Sequence, residues 1–174
     1  SIAVRLARAY SGDETVAFCG YHGWHDWYLA ANLDSESNLD DHLLPGLSPK
    51  GVPESLEGTS LPFHYNEVEE LEQIASENDL GAIVMEPIRN DQPEPNFFDR
   101  VREIADEQDA PLIIDEITAG FRENIGGYHQ NINVRPDVAV YGKALGNGYP
   151  ISAVVGREHV MDQAQESFVS STFW

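Results

Sequence analysis

The chain has 174 residues, 41% of them hydrophobic, and sets 30 Asp+Glu against 10 Lys+Arg, a formal net charge of −20 at pH 7. Nucleic acids and anionic membrane surfaces are recognised through basic patches, so this balance argues against both. No apolar run approaches the ~20 residues that span a bilayer, and the length suits one domain or part of a larger one.

The acid is scattered along the chain and not gathered into a tail, which predicts a surface adapted to salt. Cys19 is the single cysteine. It excludes a disulfide framework and suits a reducing, cytoplasmic setting.

Ser1 leads at once into a helical pattern of Ile2, Val4, Leu6, Ala7, Ala9 and Tyr10. This start is amphipathic and carries two arginines, unlike a signal peptide. A helix with no lead-in, and an end (SSTFW) that stops inside a strand-like run, are both expected of a fragment. Ser11-Gly12 closes the helix and Thr15 to Cys19 reads as a short strand. Gly20-Tyr21-His22-Gly23 is a turn at its carboxyl end, and Trp24 to Tyr28 begins a short helix. Residues 32–63 are polar and rich in Pro and Gly, and read as one long excursion.

Asn66 is the expected cap of a helix over NEVEELEQIASEN, with Glu69 completing a capping box and Val68, Leu71, Ile74 and Ala75 as its apolar stripe. Gly81 opens a strand, AIVMEP, which carries Glu86 at its carboxyl end. Pro95 to Asp106 reads as a helix with Phe97, Phe98, Val101 and Ile104 on one face. Pro111 then opens Leu112-Ile113-Ile114, an apolar run ending in Asp115 and Glu116, as a buried parallel strand would. This alternation predicts an α/β fold with a mostly parallel sheet covered by helices.

The stretch VAVYGKALGNGYPISAVVGR, residues 138–157, reads as strand, turn, strand around Lys143. The chain has only two lysines, Lys50 and Lys143. A lysine at the mouth of a sheet is expected to lose hydration and become a usable nucleophile; the plainer reading is a loop lysine reaching solvent. Asp115, at a strand's carboxyl end, would face a ligand site. A carboxylate there could hold a metal, a ribose or a protonated ring nitrogen, or simply cap a turn. His22, His25 and Asp26 could be read as a metal cluster, but the other histidines (42, 64, 129 and 159) show no ligand spacing and no cysteine pair supports zinc, so no metal is expected.

Together, DEITAGFR, the lysine 28 residues after Asp115, GNGYPISAVVGR and YHGWHDWY at 21–28 resemble the class III pyridoxal-phosphate (PLP) aminotransferases. Within these the sequence is most similar to the glutamate-1-semialdehyde aminomutase branch. The resemblance runs over essentially the whole chain and implies part of the large domain of a fold-type I PLP enzyme, residues 1–174. A preceding phosphate loop and a following small domain are then expected outside this sequence.

The resemblance also implies roles. Lys143 would form an imine with the cofactor aldehyde, for which a primary amine is needed and a guanidinium does not serve. Asp115 would pair with the pyridinium nitrogen and keep it protonated. Ile117 would pack on one ring face, Tyr21 would stack on the other, and His22 would brace the pocket. Glu86 would orient its neighbours at the cofactor site. Thr172 would reach a partner subunit's cofactor phosphate in a homodimer. Asn90 and Arg122 are weaker candidates, the latter for a substrate carboxylate. The reaction implied is amino-group transfer between small-molecule amines and carbonyl compounds, or within one molecule. The rivals are a non-catalytic homologue of the same fold and a nucleotide hydrolase using Asp115 and Glu116. The second would need a G-x-x-x-x-G-K-[ST] loop, which this sequence lacks.

Overall fold

A computed structural model of the chain describes residues 1–42 and 45–171. Its strands are β1 (Thr15–Cys19), β2 (Ser60–Pro62), β3 (Leu80–Met85), β4 (Leu112–Asp115), β5 (Val138–Tyr141) and β6 (Ala153–Gly156). They form one sheet in the order β2-β1-β3-β4-β5-β6. The first five are parallel and β6 closes one edge antiparallel to β5. The helices are α1 (Ile2–Ser11), α2 (Asp26–Leu29), α3 (Ala31–Asp34), α4 (Val68–Glu77), α5 (Phe97–Glu107) and α6 (Glu158–Met161).

Alternation along the strands divides the core in two, because successive side chains leave a strand on opposite faces. Ala17, Cys19, Ile83, Met85, Leu112 and Ile114 face α4 and α5, and meet Leu71, Phe97, Phe98, Val101 and Ile104. Val16, Phe18, Ala82, Val84, Ile113 and Val138 face α1, α2 and α6, and meet Val4, Leu6, Ala7, Tyr28 and Val160. A central strand buried on both faces has no polar alternation, as the unbroken burial of Leu80 to Met85 requires. Gly81 lies within that strand rather than opening it. A Cβ there would stand 2.2 Å from the Asp13 carbonyl oxygen, so the α1–β1 turn closes over this strand only where the side chain is missing.

Two expectations are corrected. The excursion at 32–63 ends in β2, an edge strand that pairs with β1 through Val16 and Ser60. Its three residues are too few to stand out by alternation. Buried Asn32 pins the rest of the excursion, donating from Nδ2 to Leu47 O at 2.6 Å and accepting from Leu39 N–H at 3.0 Å. The capping box at α4 does not form. Asn66 takes φ 69 and spends its side chain on Gln92 O and Glu94 N–H. Glu70, not Glu69, reaches back, accepting from His64 N–H at 2.7 Å.

Candidate active site

All five parallel strands point their carboxyl ends to the same edge of the sheet, and the expected site residues gather there. β4 ends in Asp115, whose side chain is 12% exposed. Its Oδ1 accepts from the Ile117 N–H at 3.0 Å, a local turn that fixes the carboxylate. Its Oδ2 lies 2.8 Å from His22 Nδ1. The His22 side chain is 2% exposed, its Nε2 lies 3.1 Å from Cys19 O, and its ring stacks on Trp27. Each ring nitrogen thus faces an acceptor oxygen, so the YHG turn is locked to the end of β4.

Lys143 follows β5, the strand beside β4, and starts a short 3-10 turn, Lys143–Leu145. Its backbone is left-handed at φ 44. Gly142, just before it, lies over the Ile117 side chain, with its would-be Cβ at 3.5 Å from Ile117 Cγ2. Lys143 Nζ donates to Thr118 Oγ1 at 2.7 Å. Lys143 is exposed, so the loss of hydration expected of a lysine at the sheet mouth is not met in this chain. A hydroxyl holds the amine instead.

Glu86, at the end of β3, is 4% exposed and meets Tyr21 N–H at 3.1 Å. Arg89 grips it through two parallel bonds, Nε to Oε2 at 2.7 Å and Nη2 to Oε1 at 2.6 Å. These bonds raise the Arg89 pKa above its ordinary value against the opposing effect of burial. The same guanidinium lies over the Tyr21 ring, 5.9 Å from its centroid. α1 joins β1 through a short turn, so its amino end lies towards this edge too.

Glu116 departs from the paired-acid reading. It is fully buried and turned away from Asp115, accepting from Tyr128 N–H at 3.0 Å, His129 N–H at 2.8 Å and His129 Nδ1 at 2.8 Å. Adjacent residues of a strand leave on opposite faces, so Asp115 and Glu116 cannot share one ligand. Glu116 is a brace for the loop after it. Arg122 donates from Nε to Thr118 O, a contact within its own turn. Thr172 lies outside the described residues. Among those described, no three His, Cys, Asp or Glu side chains converge as a metal site.

Thr118 and Arg89 were missed by the sequence reading. Thr118 sits inside DEITAGF, three residues past Asp115, and reads as an ordinary polar residue until the lysine is placed against it. Arg89 follows Glu86 by three, a spacing that gains meaning only once both are known to leave the end of β3.

The aminotransferase class-III family model matches residues 3–174. The chain belongs to this family. It is 37% identical to the 3-aminobutyryl-CoA aminotransferase of Cloacimonas acidaminovorans, covering 100% of this chain and 40% of that protein. It is 35% identical to the glutamate-1-semialdehyde 2,1-aminomutase of Sulfolobus acidocaldarius, over 99% of this chain and 42% of that one. The class-III chain therefore spans about 40% of the length of the curated relatives it matches. Its fold matches a solved PLP form of the FumI protein of Sphingopyxis sp. MTA144 with a TM-score of 0.81 and 27% identity, covering 99% of this chain and 40% of that one. The helix-flanked, mostly parallel class-III sheet expected from the sequence is thus the one observed.

Proposed function

We propose that this chain is part of the large domain of a PLP-dependent enzyme that transfers an amino group, either between an amine and a carbonyl compound or within one molecule. The observation that carries the reading is one juxtaposition. A fixed carboxylate, Asp115, and a primary amine, Lys143 Nζ, leave adjacent parallel strands at the same edge of the sheet. The site's chemistry fits the cofactor on its own terms. The Asp115 carboxylate is fixed at a strand end by the Ile117 N–H and by His22 Nδ1, as a partner for a protonated ring nitrogen must be.

When bound, PLP supplies an electron sink for the carbon that bears the amine. The chain's residues divide the remaining work. Lys143 would hold the cofactor covalently through Nζ and, once released, carry a proton at that nitrogen. Thr118 Oγ1 aims the amine. Asp115 would hold the ring nitrogen protonated, with His22 fixing the direction of its carboxylate. Ile117, packed under Gly142, would support one ring face. Tyr21 would stack on the other, through the side of its own ring not taken by Arg89. Glu86 positions Tyr21 through the backbone N–H and Arg89 through its guanidinium. We place Thr172 at a partner's cofactor phosphate in a homodimer, and the enzyme in the cytoplasm, where the buried thiol of Cys19 needs no partner. No helix of the described residues is long and apolar enough to cross a membrane.

The test is chemical trapping. The full-length protein is mixed with PLP, reduced with borohydride and digested. The modified peptide is expected to carry its label on Lys143. A label on Lys50, or none, overturns the proposal.

A further inference from the structure

His42 lies in the excursion that folds back over the carboxyl end of β1, and it is 7% exposed. Its Nδ1 accepts the Gly20 N–H at 3.2 Å, which fixes the neutral tautomer with the proton on Nε2. Burial, and then the neighbouring His64, push the ring's pKa down to about 4, so it is an uncharged donor at neutral pH. That donor has no hydrogen-bond partner among the described residues. A buried N–H without an acceptor is disfavoured, and each such group calls for an explanation.

The orphan belongs to the wall of a pocket of about 100 Å³ that Gly20, His64, Glu86 and Arg89 also line. Arg89 spends Nε and Nη2 on Glu86, and its Nη1 makes no bond among the described residues. His42 Nε2–H is therefore the buried donor without an acceptor among the described residues that line this cavity, and the partly exposed Arg89 guanidinium stands beside it. Asp41 and Asp91 stand at its exposed margin. Glu86 closes β3, which neighbours the strand carrying Asp115. Strands lie about 4.8 Å apart, so the pocket is one or two strand spacings from Asp115, a distance that a short carbon chain bridges.

We propose that this pocket is a subsite for an oxygen acceptor on the amine substrate, a carbonyl or carboxylate oxygen, bound by His42 Nε2–H and the free N–H groups of Arg89. The assignment rests on the amino-transfer reading of the same site and names the substrate class it takes. The two oxygen sources differ in charge. Asp41 and Asp91 disfavour a carboxylate, while Arg89 favours it.

The experiment uses the full-length, PLP-loaded protein and primary amines of equal length ending in a methyl, a primary amide or a carboxylate. His42→Asn keeps an acceptor near the Nδ1 position for the Gly20 N–H and removes the donor; His42→Gln extends an amide N–H towards the Nε2 position. In His42→Asn, kcat/KM for an oxygen-tailed amine relative to the methyl-tailed one is expected to fall about tenfold, through KM, and His42→Gln to recover part of it. A fall for the amide identifies a carbonyl, and a fall for the carboxylate identifies an anion. An unmoved ratio overturns the subsite. Acetamide and acetate are also titrated against the His42 Nε2–H resonance of the wild type by NMR. A shifted resonance in a protein that transfers no amino group upholds the subsite and fails the proposed function. An unshifted resonance in an active enzyme does the reverse.

Discussion

His22 Nδ1 and Asp115 Oδ2 stand 2.8 Å apart across 93 residues of sequence, joining the turn after β1 to the end of β4. The pair makes the Asp115 charge directional. In Asp115→Asn, the amide can still accept the Ile117 N–H, and its own N–H can donate to His22 Nδ1 in the tautomer that directs Nε2–H at Cys19 O. The fold is therefore expected to survive. The loss of charge is expected to lower kcat/KM at least about 100-fold, or about 2.7 kcal/mol of transition-state stabilisation. Steady-state kinetics beside a thermal melt check this; a variant that melts normally and keeps wild-type kcat/KM removes Asp115 from the chemistry.

Lys143→Arg preserves a cation that can reach Thr118 but offers no amine able to form an imine. Its activity is expected at background. Thr118→Val leaves the amine and removes its acceptor. The expected loss is roughly three- to tenfold in kcat, the range of one neutral hydrogen bond. Stopped-flow measurement of PLP capture should slow in parallel; an unchanged rate assigns the 2.7 Å contact to packing only.

Glu116→Gln tests the brace. The amide turns two donors of its own towards a buried site where three N–H groups of Tyr128 and His129 converge. A loss of about 1–3 kcal/mol in unfolding free energy is expected, read from denaturant titration. Activity per folded molecule should change far less than in Asp115→Asn. The opposite ranking would return Glu116 to the reacting groups.

The His42 ring sets a pH dependence. Its pKa is depressed in the folded state, from 6.5 to about 4, so the unfolded chain binds the proton first. Stability is intact above pH 6.5 and falls as pH drops towards 4. At about 1.4 kcal/mol per unit the loss reaches at most about 3 kcal/mol. The groups around the ring are His64, His22, Asp41 and Glu70, and the two acids oppose the shift. Melting wild type and His42→Asn at pH 7 and pH 4.5 isolates the ring's share. Parallel curves would show that the ring does not contribute.

The net charge of −20 sets a salt dependence. Arg100 is already shared among Glu72, Glu103 and Glu107, and Arg102 between Asp106 and Asp137, so few cations remain to offset the rest. Raising ionic strength from 0.1 to 1 M shortens the screening length from about 10 to 3 Å and weakens repulsion more than these few pairs lose. A higher melting temperature in 1 M KCl is expected; a lower one would mean that the ion pairs outweigh the repulsion.

Much of this site was legible because its residues lie at strand ends. Apolar runs mark the strands, and the residue that follows the run inherits a place at the edge. Asp115 and Lys143 stood out as candidates this way, while Glu86 became one through the resemblance to the family. What local pattern cannot give is contact between segments. β2 is three residues of edge strand whose partner is 44 residues away in register, Val16 to Ser60. His42 acquires its meaning only from Gly20, and Thr118 only from Lys143. Asn66 was misread because a good capping residue with a positive φ serves a different loop, while Glu70 reaches back past the helix start to the His64 N–H.

The left-handed backbone at Lys143 has its own consequence. A side chain with a Cβ pays about 1–2 kcal/mol to sit at φ 44, where glycine sits freely. On the proposed function, the fold therefore works against the residue that would carry the chemistry. Lys143→Gly should melt no lower than the wild type in the absence of cofactor. Local thermodynamic pressure on this turn thus runs towards glycine, and under the proposed function only the need for an amine would oppose it.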